Sequence, residues 1–323
     1  HGVLPVVAFA IGWLIAEGSS DKQIRDGILA LATGFGTYAT LNMLVNIGNN
    51  RYRLIDFWTG TYRAATGSGA LNTLPISVAP YAVKFEKRLP VKIMFLALFF
   101  ATIQYMFMLG TRTQFAILLL IVILAALQFA YSEQGIAGVL KCIGIMAVIS
   151  LIAFLLYHFN VLSIRDYILS TNLAARYQRR ASLENADSFR FQSFWIGLRE
   201  LIQYPMGGRA SQVYRHNMWL DVGRVSGIIP FCLLLVYSIK NFANVTVIWK
   251  NTKILPSLRY LLLFLYIGAY VNCFVEPIWE GALNFFLALC VVDGMVSAMM
   301  RRLENDHTPE ESVSDTSNLH TDL

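Results

Sequence analysis

Apolar runs that reach or approach the ~20 residues needed to cross a bilayer core recur along the whole chain, and nothing in it constrains the fold more. They cover residues 3–16, 27–47, 70–83, 91–109, 114–130, 138–157, 218–239, 257–274 and 279–299. In hydrocarbon such a run has no water to bond its backbone, so it must close its hydrogen bonds within itself as helix. With 56% hydrophobic and 14% charged residues, the composition excludes an ordinary soluble domain. The expected fold class is an all-α integral membrane protein with about nine transmembrane helices. Two runs depart from the pattern. Residues 70–83 hold Asn72, Pro75 and Pro80 and read as a broken or re-entrant helix lining a cavity. Residues 3–16 are short, and because the chain opens on His1, the expectation is a helix cut at its start with an N-terminal part missing.

Charge sets the orientation. When nine runs alternate across a membrane, Lys22, Lys84, Lys87, Lys92, Lys141, Lys240, Lys250 and Lys253 all fall on one side, together with Arg25, Arg88, Arg259, Arg301 and Arg302. The positive-inside bias makes that side cytoplasmic. The other side receives a loop 48–69, a short turn 110–113 and a long, partly helical segment 158–217. These carry Arg51, Arg53, Arg63, Arg112, Arg165, Arg176, Arg179, Arg180, Arg190, Arg199, Arg209 and Arg215, with Arg224 one turn into the next helix, and no lysine. A guanidinium is a rigid fork that grips phosphate oxygens bidentately, which an ammonium cannot do. Outer carboxylates are also available to these arginines: Asp56, Asp166, Glu184, Asp187, Glu200, Asp221, Glu276 and Glu280. About half of the arginines are assigned to such pairs and to lipid headgroups, Asp221 with Arg224 among them; the rest point to another anion.

Other residue types narrow the reading. Cys142, Cys232, Cys273 and Cys290 lie in or beside apolar runs without paired spacing and read as small core residues. The outer loops lack Asp-x-Asp and their carboxylates are scattered, so no metal site and no cofactor is expected. Residues 303–323 are polar and read as a disordered cytoplasmic tail, leaving 1–302 as the transmembrane domain. Nothing suggests nucleic acid as a partner.

One outer stretch is dense in polar and aromatic side chains: Ser188 to Trp195, then Tyr204-Pro205-Met206-Gly207-Gly208, then His216-Asn217-Met218-Trp219-Leu220 and Gly227. Taken with Gly110-Thr111-Arg112-Thr113 opening a helix, this order resembles the signature region of the O-antigen ligase and O-antigen polymerase superfamily. Pro230 and Arg224 depart from the common pattern. The resemblance implies a metal-independent, inverting glycosyltransferase of the bacterial inner membrane, acting in surface-polysaccharide or lipopolysaccharide biosynthesis. It implies a glycan donor linked to undecaprenyl diphosphate, and an acceptor that is lipid A-core for a ligase or a lipid-linked glycan for a polymerase. Segment 158–217 then becomes a periplasmic loop.

The pattern carries Arg112 and Arg190 over as diphosphate ligands, with Arg215 a third. His216 is the implied base: a neutral imidazole with a pKa near ~6.5 can take a proton from the acceptor hydroxyl, and nearby arginines help keep it neutral. Asn217, Glu276, Glu280 and Trp195 are candidate acceptor or loop contacts. For Glu276 and Glu280 the alternative is pairing with arginines; Trp195, Trp219, Trp279 and Tyr204 are candidate sugar-stacking platforms, for which the favoured alternative is anchoring at the membrane interface. The rival of another class is a transporter or flippase for lipid-linked oligosaccharide, although the runs hold few ionisable residues apart from Asp293.

Overall fold

A computed structural model describes residues 2–46, 54–63, 65–181, 186–211 and 213–305. Arg51, Arg53, Glu184 and the tail beyond Asn305 lie outside the described residues, as do the side chains of Arg63, Arg179, Arg180, Asp187 and Arg190.

The chain is a helical membrane protein. Six helices among the described residues are long and apolar enough to cross a membrane: α2 (Asp21–Leu44), α5 (Leu89–Leu109), α6 (Arg112–His158), α11 (Ile228–Lys250), α12 (Pro256–Val275) and α14 (Leu283–Asn305). The remaining expected runs are shorter, joined or displaced. The first is α1 (Val3–Glu17), 15 residues long. The third is α4 (Thr73–Lys84), which carries Pro75 and Pro80 without breaking; the chain leaves helix only ahead of them, at Leu71 and Asn72, after the short α3 (Ala65–Ala70). The fifth and sixth are continuous in α6 but part at Gly135 (φ 61, ψ −144), where the second arm turns back so sharply that Gly138 meets the Ala130 carbonyl.

The seventh run differs most from expectation. Residues 218–239 do not form one helix: α10 (Met218–Ser226) stops at Gly227 (φ 98), and α11 starts afresh and continues to Lys250. Lys240, expected in a loop, is therefore helical. Before the last helix stands a single turn, α13 (Ile278–Gly281), and α14 runs three residues into the expected tail. Segment 158–217 is mostly helical, as α7 (Ile164–Ser170), α8 (Asn172–Ala181) and α9 (Ala186–Gln203). Loop 48–69 also carries a short ribbon of β1 (Leu54–Ile55) and β2 (Tyr62–Arg63), paired antiparallel with Leu54 opposite Arg63. Asn42, in α2, and Asn46, two residues beyond its end, pin this ribbon: Asn42 accepts from Phe57 N at 2.9 Å and Asn46 from Ile55 N at 3.0 Å.

Contacts sort the charged residues to opposite ends of the bundle. At one end Lys84 pairs with Glu133 beside the α6 break, Arg88 with Asp26 at 3.2 Å, Arg301 with Glu17 at 3.4 Å, and Arg302 with Asp21 at 3.6 Å. The other end gathers the ribbon, the α5–α6 turn, α10 and α13.

Two contacts organise the core. The buried residues of α1 are Ala8, Gly12 and Ala16, spaced four apart, and α1 packs along α14. Small residues let two apolar helices approach until their backbones touch; a Cβ on Gly12 would run into the Val291 carbonyl, and one on Gly294 into that of Phe9. The second contact is α4, buried along Thr73–Ala82 among α2, α5, α6 and α12.

At the lysine end, Glu86 is buried and takes three hydrogen bonds from Arg88. The Arg88 guanidinium holds the Glu86 carboxyl down at about 2, against the opposing effect of burial.

Gly294→Ala is expected to cost about 1–3 kcal/mol by overpacking this contact, read as a lower Tm in detergent, with Gly34→Ala, where nothing lies within 4 Å of the added Cβ, as the neutral control. Glu86 contributes stability above the ordinary carboxylate range that disappears as pH falls toward 2. Because Arg88 is half exposed, Glu86→Gln is expected to cost about 1–2 kcal/mol at pH 7, and wild type and variant should converge on acidification.

Candidate functional site

Arg112 owes its position to a turn that is clamped from outside. α5 ends at Gly110 in the left-handed region (φ 69), Thr111 is extended, and Arg112 is the first residue of α6, half-buried at the positive end of the helix dipole. α8 lies across this turn: Asn172 Nδ2 donates to the Met108 carbonyl at 2.7 Å and an Arg176 guanidinium N–H to the Gly110 carbonyl at 2.8 Å. The next residues tie α6 to its neighbours. The Thr113 hydroxyl donates to Glu276, Gln114 Nε2 to Asn272 Oδ1 at 3.3 Å, and Asn272 Nδ2 to Thr73 Oγ1 at 3.0 Å. The start of α6, the end of α12 and the start of α4 thus form one buried polar joint.

His216 reaches the same end of α12 from the other side. Asn217 caps α10, accepting from Leu220 N at 3.0 Å, and its Nδ2 donates to the Phe274 carbonyl at 3.1 Å. His216 itself is left-handed (φ 55) and meets the Tyr214 ring edge-on, with centroids 4.8 Å apart. For a residue with a Cβ that conformation costs about 1–2 kcal/mol and persists only where the surroundings fix it. Phe274, in the last turn of α12, and Glu276, the extended residue that ends it, therefore hold Asn217, next to His216, and Thr113, next to Arg112.

α9 borders this place through Phe194, whose ring lies 6.1 Å from that of Phe274. Arg190 stands one turn earlier on α9, and its side chain lies outside the described residues. Trp195 is exposed beside Phe191 and Phe194. Trp219, weighed as a sugar platform or interface anchor, is neither: it is buried, donates to Ser238 Oγ at 3.0 Å and stacks on Tyr270.

Carboxylates occupy several arginines. Arg215 grips Glu200 bidentately, at 3.0 and 2.6 Å, so its fork, expected on a diphosphate, is engaged within the protein. Glu200 also meets Arg209 at 3.7 Å, and Arg209 lies 4.1 Å over the Tyr204 ring. Asp221 accepts the Arg215 amide at 2.6 Å and pairs with Arg224 at 3.6 Å, the pair expected from their spacing. Arg224 in turn binds Glu280, the arginine pairing named for that glutamate beside an acceptor contact. Burial pushes the Asp221 carboxyl up to about 6, against the pull of the Arg215 amide and Arg224. It is ionised and paired at neutral pH and is neutralised as pH falls through that value.

The motif glycines interlock. Gly207 (φ 73) and Gly208 (φ 79) turn the chain so that Gly208 N donates to Val225 O at 2.9 Å and Arg209 N to Arg224 O at 3.1 Å, while Ile228 N returns to Pro205 O at 2.8 Å. The Pro-x-Gly-Gly turn is thereby bonded onto the break between α10 and α11.

Sequence reasoning missed the hub role of Glu200 and the joint of Thr113, Gln114, Asn272 and Thr73. Glu200 was visible only as one outer acid among several, since a spacing of 15 from Arg215 carries no local signal. All four cysteines are free, and among the described residues no three His, Cys, Asp or Glu side chains form a metal-binding group.

Gly208 has open space where a Cβ would go, whereas a Cβ on Gly227 would strike the Pro205 carbonyl. Gly208→Ala is expected to cost about 1 kcal/mol and Gly227→Ala clearly more; equal losses of Tm would refute the interlock. A scan of protein-family models finds none that matches this chain, and a search of curated proteins finds no match either.

Proposed function

We propose that the protein is a membrane glycosyltransferase that moves a glycan from undecaprenyl diphosphate to an acceptor sugar, as an O-antigen or related surface-polysaccharide ligase. In this reading α1, α4 and both arms of α6 cross the membrane as well, so that nine passages alternate between the lysine end, which is cytoplasmic, and the arginine end, which is periplasmic, in the inner membrane. The observation that carries the reading is the left-handed His216 at the mouth of α10, held on the same end of α12 as the helix start bearing Arg112.

The chemistry is an in-line displacement. His216 takes the proton of the acceptor hydroxyl while its oxygen attacks the anomeric carbon, and undecaprenyl diphosphate departs with the electron pair of the glycosidic bond. Arg112, at a helix N-terminus, and Arg190 neutralise the charge that develops on that diphosphate. Glu276, held by Thr113, stands beside the acceptor path. Polymerisation of lipid-linked repeat units uses the same donor chemistry and differs only in the acceptor.

One observation favours a second reading, transport of the intact lipid-linked oligosaccharide. Asp293 is buried within α14 and accepts from the hydroxyls of Tyr237 at 2.8 Å and Tyr266 at 2.5 Å, and an ionisable group inside a spanning helix marks many transport pathways. Liposomes holding the protein, glycan-diphosphate-undecaprenol and an acceptor separate the readings. Release of undecaprenyl diphosphate that falls about 10²–10⁴-fold in His216→Ala, with Asp293→Asn retaining turnover, supports transfer. Movement of intact donor that stops in Asp293→Asn and survives in His216→Ala supports transport.

A further inference from the structure

We propose that Glu200 is a positioning residue for His216, acting through Arg215, and that the Arg215 guanidinium serves this pair instead of the donor diphosphate. The inference rests on the transferase reading for its kinetic consequence and on the geometry alone for its structural one.

Three helices fix the backbone on both sides of residue 216. Before it, the Arg215 fork is locked on Glu200 of α9, with both side chains only 11% exposed, and the Arg215 amide is locked on Asp221 of α10. After it, Asn217 is locked between the first turn of α10 and the Phe274 carbonyl of α12. A planar guanidinium gripped at two points cannot rotate about its partner as an ammonium can, so the pair sets an orientation as well as a distance. Residue 216 is left with one conformation, the left-handed one, although a residue with a Cβ disfavours it. The direction of the His216 Cα–Cβ bond, and with it the place of the imidazole, depends on that backbone, and a base displaced by about 1 Å loses on the order of 10²-fold in rate. A donor ligand would instead need to exchange Glu200 for phosphate at each turnover, breaking a part-buried bidentate pair in a place already lined by Asp221.

The two assignments differ in kinetics. As a positioning pair, Glu200→Gln and Arg215→Lys each lower kcat by about 10–100-fold with the donor KM within twofold, and the double variant is no worse than either single one because both break the same contact. Arg209→Gln, which removes the outer neighbour of Glu200 without touching residue 216, leaves kcat within twofold. A raised donor KM in Arg215→Lys together with full activity in Glu200→Gln would assign Arg215 to the diphosphate and overturn the proposal, as would additive losses in the double variant.

A readout independent of activity keeps the two levels apart. In protein with carbon-13-labelled histidine, His216→Ala identifies the His216 signal, which is expected to move in Glu200→Gln and Arg215→Lys and to stay in Arg209→Gln. An unmoved signal overturns the positioning role even if the enzyme is active. A wild type that releases no undecaprenyl diphosphate, with the signal moving as expected, removes the transferase reading and leaves the positioning intact.

Discussion

A backbone amide in hydrocarbon has to find its carbonyl within the protein, and the places where this chain stops being helical follow from that requirement. The breaks are closed in two ways. At Leu71 and Asn72, between α3 and α4, the chain closes on itself, Asn72 N donating to Gly69 O at 2.9 Å beside the joint of Gln114, Asn272 and Thr73. At Gly227 the break is closed by the Pro205–Gly208 turn, which supplies a carbonyl to Ile228 and takes the carbonyls of Arg224 and Val225. These supported breaks, with the capped start of α6, leave polar side chains where long helices would have shown only apolar ones, and the candidate site is assembled from them.

Charge enters this scheme as mortar. The sequence offers thirteen arginines to one side, but the structure engages several with carboxylates, in a series that runs from Arg209 and Arg215 on Glu200 to Arg224 between Asp221 and Glu280. Each of these arginines ties the loop after α9 to α9, α10 or α13. Partly buried pairs of this kind contribute little net stability relative to well-packed apolar side chains, yet removing one partner is costly. Their role is to specify one arrangement of a loop that has few apolar contacts to specify it.

Helix placement was legible wherever an apolar run met no competing geometry, as in α1, α2, α5 and α12. It was less legible where a glycine with positive φ decides the boundary: 218–239 reads as one span because Gly227 looks like any other small residue until the opposing turn is known. The order of the site motifs was readable, and so was the Asp221–Arg224 pair, because residues three apart on a helix must be neighbours. The partner of Arg215 was not, since it depends on how α9 folds back over α10. Trp219 was legible only as an aromatic near an end; its burial against Ser238 and Tyr270 comes from tertiary packing of α10 on α11 and α12.

The close approach of α1 and α14 through Gly12 and Gly294 bears on assembly. Residues joined across that seam are far apart in the chain, Arg301 and Glu17 by 284 positions. Helices inserted in order leave the small-residue face of α1 without α14 until that helix arrives. Pairing over so long a separation has to overcome a large loop-closure entropy and is slow. The seam is therefore among the last contacts to form, and it acts as a clasp that holds shut a bundle already organised around α4.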